Sequence, residues 1–186
     1  MNHAATGTPS SSSQLTIADL QARIRDIPDF PQPGIMFRDI TPLLADAASF
    51  QAVVDTMAAP FRDKADVVVA IESRGFILGA PIAYALGAGL ALVRKPGKLP
   101  YEVESEAYTL EYGENTLEIH RDAVAPGQRV LLVDDLLATG GTVRAAANLV
   151  ARLGGEIAGV CVLAELSALN GRALLTDLPV TSFIVY

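Results

Sequence analysis

The hydrophobic positions of this chain fall into short apolar runs that alternate with segments of helical spacing. Residues 66–71 (DVVVAI) and 129–135 (RVLLVDD) contain β-branched and apolar runs that are typical of buried strands. Residues 76–87 and 141–155 instead place apolar and small residues at helical spacing. Strands that are nearly all apolar and alternate with helices predict an α/β fold with a mostly parallel central sheet, flanked by helices.

The same pattern predicts the remaining elements. Helices are expected at residues 15–27 and 45–63, and strands at residues 89–95, 116–120, 157–166 and 180–186. Residues 96–115 are rich in charged residues and turn formers, and they are expected to form a long loop or a β-arm. Residues 1–13 read as a disordered tail and residues 14–186 as a single domain.

Composition narrows the class of protein. The formal net charge of −7 argues against a nucleic-acid partner, because phosphate backbones need a basic face. The one cysteine, Cys161, lies in an apolar run and is best interpreted as a buried hydrophobe, so no oxidising compartment is required. We find neither a secretory signal nor an apolar stretch of roughly 20 residues, which predicts a cytoplasmic protein without a membrane partner.

Three of the predicted strands run directly into polar loops. The loops are residues 72–75 (ESRG), 94–98 (RKPGK) and 134–142 (DDLLATGGT). In open parallel sheets, ligands bind at the carboxyl ends of the strands. We therefore expect these three loops to meet at one edge of the sheet and to form a binding site.

The loop at residues 138–142 has the composition of a phosphate-binding loop. Gly140 and Gly141 lie between Thr139 and Thr142, just before a predicted helix. Glycines let backbone N–H groups surround an anion, and the helix N-terminus adds partial positive charge. The alternative is a plain turn capped by a threonine. The sequence lacks the Gly-Lys-Ser/Thr of a P-loop and the G-x-G-x-x-G of a dinucleotide site.

The charged residues beside this loop suggest what else is bound. Asp134 and Asp135 would repel a phosphate, but they can accept hydrogen bonds from sugar hydroxyls or help to hold a divalent cation. A site for a phosphate and a site for two neighbouring hydroxyls, separated by the length of one sugar, together indicate that the ligand is a ribose 5-phosphate. Arg74 can clamp an oxyanion, although an exposed ion pair with Glu72 is an equal alternative. The basic residues Arg94, Lys95 and Lys98 favour a second anion, pyrophosphate, over a solvated basic turn.

Several stretches of the sequence, including the loop at residues 134–142, resemble a known family. VLLVDDLLATGGT, residues 130–142, resembles the signature of type I phosphoribosyltransferases, which bind 5-phosphoribosyl 1-pyrophosphate (PRPP). FPQPGIMFRDITPLL, AIESRGFILGAPIA, RKPGKLP, YTLEYGENTLEIH and AELSALNGRALL are similar to the adenine-specific members of that family. The resemblance covers residues 14–186 and implies the type I fold, with a small hood and a mobile flap. It implies transfer of the phosphoribosyl group from PRPP to adenine with Mg²⁺, by a homodimer.

The resemblance also implies a role for individual residues. PRPP would be bound by residues at three strand ends, namely Ser73, Arg74, Arg94, Lys95, Lys98, Asp134, Asp135, Ala138, Thr139, Gly140, Gly141 and Thr142. Met36 and Arg38 would lie in the adenine pocket, and the alternatives for Phe37 are this pocket and packing alone. Residues 99–113 would form the flap, which carries Tyr108, Tyr112 and the proton-handling Glu111. Arg74 and Glu111 would be the catalytic residues, and Mg²⁺ would be held mainly through PRPP.

Three alternatives stay open on the sequence alone. A phosphoribosyltransferase for xanthine, guanine or orotate would share the sheet and the PRPP loop. A regulator that senses PRPP would keep the fold without catalysis, but the flap glutamate is present and no DNA-binding segment is evident. A generic sugar-phosphate binding module would not explain the basic loop at residues 94–98.

Overall fold

The computed structural model describes residues 15–109 and 114–186 of the chain. The chain divides into two compact units, Met1–Ala52 and Val53–Tyr186. The predicted tail lies outside the described residues, and the prediction of a single domain over residues 14–186 stays a prediction. In the described part of the chain, every helix is too short or too polar to cross a membrane.

The first unit contains short elements. They are α1 (Ile17–Gln21), β1 (Arg25–Ile27), β2 (Phe37–Asp39), α2 (Thr41–Ala45) and the start of α3 (Ala47–Ala58). Strands β1 and β2 pair in antiparallel register. The side chain of Thr16 caps α1 by accepting from the Asp19 backbone N–H at 3.2 Å, and Asp19 in turn accepts from the backbone N–H of Thr16.

The prediction of a helix over residues 15–27 is wrong beyond Gln21. Residues 25–27 form β1 instead, because strand β2 offers them backbone partners and opposite charges. Arg38 of β2 forms an ion pair with Asp26, and Arg25 lies 3.9 Å from the Asp39 carboxylate. Long-range pairing of this kind overrides a local helical pattern.

The second unit is built on a parallel sheet of five strands. Its strands are β3 (Val67–Ile71), β4 (Gly89–Val93), β7 (Arg129–Leu137), β8 (Glu156–Glu165) and β9 (Val180–Val185), in the spatial order β4-β3-β7-β8-β9. All four pairings are parallel. The flanking helices are α4 (Arg74–Leu86) and α5 (Gly141–Arg152), with short 3-10 turns at Ala59–Phe61, Ser167–Leu169 and Gly171–Leu174. The α/β prediction is confirmed.

The core of this unit is aliphatic and tightly packed. Every residue of β3 is buried, as expected for a central strand covered on both faces. Helix α4 lies against β3 and β7. A Cβ added at Gly79 of α4 would come within 2.5 Å of the Ala70 Cβ, so this helix sits as close to the sheet as a glycine allows.

The predicted β-arm is present as a hairpin. Strands β5 (Val103–Thr109) and β6 (Glu114–His120) pair in antiparallel register, and the turn between them lies outside the described residues. Glu106 of β5 accepts a hydrogen bond from Asn148 of α5 at 2.7 Å and forms an ion pair with Arg152. Arg152 also donates to the backbone oxygen of Ser105 at 2.7 Å. The hairpin is therefore fixed to α5 at Ser105 and Glu106.

Candidate active site

The three polar strand ends lie side by side. Strands β4, β3 and β7 are neighbours in the sheet, and all run in the same direction, so the expectation that their carboxyl ends meet is confirmed. Ion pairs connect these ends. Arg94 after β4 binds Glu72 after β3 at 3.1 Å, and Arg74 at the start of α4 binds Asp135 of β7 at 2.8 Å.

The two aspartates lie within strand β7, as the predicted strand over residues 129–135 has them. The strand continues to Leu137, so the loop begins after Leu137 and not at residue 134. Strand β3 pairs with β7 only as far as Val133, whereas β8 continues to pair with it through Leu137. One side of β7 is therefore free of a neighbouring strand at the aspartates, and the loop that leads into α4 occupies that side.

Arg74 and Gly75 bring the start of α4 against the aspartates. The Arg74 Nε atom lies 2.8 Å from the Asp135 Oδ2 atom. A Cβ added at Gly75 would come within 2.9 Å of the Asp134 carboxylate and of the Val133 carbonyl oxygen. Only glycine allows α4 to begin so close to β7. The preceding residue, Ser73, is exposed at the N-cap of α4.

Burial perturbs both aspartates. Asp134 and Asp135 are only 8% and 7% exposed. Desolvation raises the pKa of Asp134 well above its usual range, and the neighbouring Asp135 charge raises it further. Desolvation also raises the pKa of Asp135, although the guanidinium of Arg74 opposes this effect. The Asp134 Oδ1 atom accepts from the Asp135 backbone N–H at 2.9 Å. This is an unfavourable place for two carboxylates unless a ligand compensates for it.

The loop after β7 leads into the N-terminus of α5. Gly140 adopts a left-handed conformation with φ of 86° and is the N-cap, so the alternative of a threonine cap is wrong. A glycine cap has no side chain to accept from the first-turn N–H groups, which remain available to an anion. The loop and the end of β7 line a pocket, formed by Asp134, Leu136, Leu137, Ala138, Thr139, Gly140, Thr142 and Val143.

The basic loop after β4 is partly committed to internal contacts. Glu72 accepts from the Arg94 side chain and from the Lys95 backbone N–H, each at 3.1 Å. Although burial opposes them, these two bonds and the nearby positive charges hold the pKa of Glu72 below its usual range. The structure thus gives Glu72 the partners Arg94 and Lys95, and gives Arg74 the partner Asp135. The side chains of Lys95 and Lys98 are exposed.

The flap residues are only partly within the described structure. Tyr108 lies in β5, and its hydroxyl accepts from the Thr142 hydroxyl at 3.3 Å, which joins the hairpin to the first turn of α5. Glu111 and Tyr112 lie outside the described residues, so their predicted roles stay predictions.

The predicted adenine-binding residues belong to the first unit. Met36 is 43% exposed. The ring of Phe37 packs edge-on against Phe30, with centroids 5.0 Å apart, and Arg38 pairs with Asp26. Their role in recognising a base stays a prediction.

Two glycines of the site escaped the sequence analysis. Gly75 allows α4 to touch the aspartates, and Gly171, in the 3-10 turn near the C-terminus, packs on the loop after β7. The signal for Gly75 was its position directly after Arg74. Gly171 lies in AELSALNGRALL, one of the stretches that resemble the family, but the sequence did not indicate its contact with the loop after β7, because that contact joins residues far apart in the chain.

The family model of the phosphoribosyl transferase domain matches residues 40–177, more than half of the chain. The adenine phosphoribosyltransferase of Myxococcus xanthus is 54% identical over 179 residues, which cover 96% of this chain and 97% of that protein.

Solved structures give the same result. The adenine phosphoribosyltransferase of Thermoanaerobacter pseudethanolicus superposes with a TM-score of 0.90 at 50% identity, covering 92% of this chain and all 100% of the other. The enzyme of Saccharomyces cerevisiae, in complex with adenine and an imino-altritol bisphosphate, gives 0.87 at 37% identity and covers 90% and 97%. The chain therefore belongs to the phosphoribosyltransferase family, and its resemblance to the adenine phosphoribosyltransferases within that family is confirmed.

Proposed function

We propose that this enzyme transfers the 5-phosphoribosyl group of PRPP to adenine, giving AMP and pyrophosphate in purine salvage. The observation that carries this proposal is the buried aspartate pair, with Arg74 beside it and a glycine-capped helix N-terminus a few residues further along. The pair suits sugar hydroxyls and the helix N-terminus suits a phosphate. The names of relatives that are more than half identical over nearly the whole chain supply adenine as the base.

The proposed PRPP site uses each strand end for one part of the ligand. Backbone N–H groups of residues 138–142 bind the 5-phosphate, aided by the Thr139 and Thr142 hydroxyls. Asp134 and Asp135 accept hydrogen bonds from the ribose hydroxyls. The loop at residues 72–75 and the exposed Lys95 and Lys98 attract the pyrophosphate group.

The charges that develop during the proposed reaction match the charged side chains of the site. As the purine N9 attacks the ribose C1 and pyrophosphate leaves, positive charge grows on the sugar, and the carboxylates of Asp134 and Asp135 stabilise it. Arg74 lies beside Asp135, in the loop proposed to bind the pyrophosphate, and its positive charge is proposed to stabilise the negative charge of that leaving group. Tyr108 of the β5–β6 hairpin contacts Thr142 beside the proposed phosphate site, so the hairpin is the element proposed to exclude water, which would otherwise hydrolyse PRPP.

Mg²⁺ fits the donors present at this site. Among the described residues no cluster of three or more histidine, cysteine, aspartate or glutamate side chains could hold a metal. Mg²⁺ nevertheless commonly uses one or two carboxylates together with substrate phosphates and water, and Asp134 and Asp135 are the two carboxylates available here. When bound, Mg²⁺ supplies charge neutralisation to the pyrophosphate leaving group.

Glu111 is proposed to handle the purine proton. Its position in the sequence supports this, because residue 111 falls between β5 and β6, in the segment that resembles the family's flap, and a glutamate can act as a general acid or base. Glu111→Leu is expected to lower kcat strongly while PRPP binding stays within about threefold, since the residue acts on the base rather than on PRPP. Glu102→Leu, an exposed glutamate before β5, is the matched control. An unchanged kcat for Glu111→Leu would remove this role.

A homodimer is proposed for the assembly. Helix α4 and the edge strand β4 expose three large apolar side chains, Ile77, Tyr84 and Leu90, at 45%, 90% and 46%. Large apolar side chains that are exposed in this way are candidates for an interface between two copies of the chain. Tyr84→Arg is expected to give a monomer in size-exclusion chromatography with light scattering, and an unchanged mass would exclude this face.

A cytoplasmic location is proposed as well, because the single cysteine, Cys161, is a buried free thiol and the fold needs no oxidising compartment. Fractionation of cells, followed by an immunoblot for this protein, tests this.

Pyrophosphate release tests the function directly. PRPP and Mg²⁺ are incubated with the enzyme and with adenine, hypoxanthine, guanine, xanthine, orotate or uracil in separate reactions, with a blank that lacks a base. Release with adenine alone is expected. Release with a different base would keep the PRPP site and overturn the adenine assignment. Tight PRPP binding without release would indicate a PRPP-sensing regulator instead.

A further inference from the structure

The loop that is proposed to bind the 5-phosphate rests on a second segment, residues 165–174. We name this segment the brace. A Cβ added at Gly171 of the brace would collide with the carbonyl oxygen of Ala138 and would lie 3.0 Å from the Gly140 nitrogen. A Cβ at Gly140 would in turn collide with the carbonyl oxygen of Gly171. The two backbones are thus in direct contact, with no side chain between them.

The brace is held by a buried carboxylate. Glu165 at the end of β8 is only 6% exposed. Arg172 binds it with two nitrogen atoms, Nε at 2.9 Å and Nη2 at 2.8 Å, and Ser182 of β9 donates to it at 2.6 Å. Arg172 also donates to the Val180 carbonyl oxygen at 3.1 Å. A bidentate arginine pair of this kind fixes geometry more firmly than a single ion pair does.

Two more contacts hold the brace against the loop. The Leu166 N–H donates to the carbonyl oxygen of Leu137, the last residue of β7, at 2.9 Å. Arg144 of α5 donates to the carbonyl oxygen of Leu174 at 2.9 Å through Nε. The brace is therefore joined to the segment just before the loop and to the helix just after it.

We propose that the brace sets the backbone conformation of the phosphate loop, so that Gly171 and Arg172 are positioning residues for PRPP. This inference rests on the proposed function. Backbone N–H groups bind an anion only when they converge on it, and they have no rotamers with which to adapt. A support made of backbone, itself fixed by a bidentate ion pair, keeps that convergence before the ligand arrives. Loss of the support is expected to weaken phosphate binding without altering the residues that touch the ligand.

Gly171→Ala provides the sharpest test. Gly171 does not adopt a left-handed conformation, so the added methyl group changes only the space between brace and loop. We expect the Kd for PRPP to rise by about tenfold to a hundredfold, as small misplacements do in active sites, with kcat at saturating PRPP much less affected. Gly89→Ala is the matched control, because its added methyl group meets only ordinary contacts at 3.5 Å or more. It is expected to bind PRPP as the wild type does.

The arginine provides a second test that does not depend on Gly171→Ala folding. Arg172→Gln is expected to raise the Kd and KM for PRPP severalfold with the KM for adenine unchanged, and Arg172→Lys is expected to recover only part of this loss. Arg129→Gln is the matched control, since Arg129 forms a similar pair with Asp66 at 2.6 Å, at the opposite end of β7. It is expected to affect stability alone.

Calorimetry with PRPP and Mg²⁺ separates the outcomes. If the wild type does not bind PRPP, the proposed function itself fails. If the wild type binds and the Gly171→Ala and Arg172→Gln variants, shown to be folded by circular dichroism, bind equally well, the brace has no positioning role. If Arg129→Gln weakens PRPP binding as much as Arg172→Gln does, the effect is one of general stability and the inference is overturned. If Gly171→Ala does not fold, the comparison of Arg172→Gln with Arg129→Gln tests the inference by itself.

Discussion

Replacement of Asp134 by asparagine is expected to make the protein more stable and a poorer binder of PRPP. Asp134 is buried beside a second carboxylate, and both desolvation and that neighbour raise its pKa. Asparagine has nearly the same shape, and its carbonyl oxygen can still accept from the Asp135 backbone N–H, which lies 2.9 Å from Asp134 Oδ1. The substitution therefore removes charge and leaves the packing in place.

The magnitude follows from two opposing terms. Removal of a buried, poorly compensated charge typically returns about 1–4 kcal/mol. Weakening of one hydrogen bond costs about 1 kcal/mol. A net gain of about 1–2 kcal/mol would raise the Tm by about 2–8 °C for a chain of this size. Loss of a charge-assisted hydrogen bond to a ribose hydroxyl, about 1.5–3 kcal/mol, would weaken PRPP binding by about tenfold to a hundredfold.

The raised pKa of Asp134 also determines how the stability difference between the two proteins changes with pH. A carboxyl group whose pKa is raised by folding contributes stability below its unfolded pKa, and this contribution is lost as pH rises through the folded pKa. The Asp134→Asn variant lacks this loss, so its advantage is expected to be smallest in acid and to grow towards neutral pH. Thermal unfolding of both proteins across this range measures it.

Asp135→Asn is the contrasting variant, because it breaks the ion pair with Arg74 and is expected to gain less. A Tm for Asp134→Asn that is lower than that of the wild type at neutral pH, or a difference independent of pH, would refute this reasoning.

Three further predictions concern packing, the hairpin and the thiol. Gly75→Ala and Gly79→Ala each add a methyl group where α4 meets the sheet, so each is expected to lose about 1–3 kcal/mol in chemical denaturation, but only Gly75→Ala should also weaken PRPP binding in calorimetry. Glu106→Ala removes the ion pair with Arg152 and the hydrogen bond from Asn148, which loosens the hairpin although Arg152 still donates to Ser105. It is expected to cost at most about 1 kcal/mol of stability and to increase base-free PRPP hydrolysis relative to transfer, as pyrophosphate release would show. Burial raises the pKa of the Cys161 thiol to about 12, so it is expected to resist thiol reagents at neutral pH until the protein unfolds, as mass spectrometry after labelling would show.

The parallel sheet was predictable because its strands carry their own signal. β3 and residues 157–164 of β8 are continuous apolar runs, which are typical of strands that are buried on both faces. The hydrophobic pattern does not predict the order of strands β4, β3 and β7. The polar loops that follow these strands do predict that their carboxyl ends meet at one edge of the sheet. Chemistry thus predicted a part of the topology that hydrophobic spacing did not.

Long-range contacts account for what the sequence did not reveal. The helical pattern of residues 15–27 is genuine, yet residues 25–27 pair with β2 instead. The extension of β7 to Leu137 depends on β8, which lies on the other side of α5 in the chain. The same holds for Arg74 and Glu72, whose partners Asp135 and Arg94 lie far from them in the sequence. Each of these features is decided by residues that approach only after folding.

The aspartate pair links stability to function. Two buried carboxylates side by side reduce the stability of the folded chain, and the ion pair of Asp135 with Arg74 offsets only part of this cost. Raised pKa values of this kind are typical of a binding site whose ligand supplies positive charge and hydroxyl donors. PRPP with Mg²⁺ brings both, so ligand binding is expected to favour the ionised form of the pair and to release protons. Calorimetry in buffers of different ionisation enthalpy would measure that release in the wild type and its decrease in Asp134→Asn.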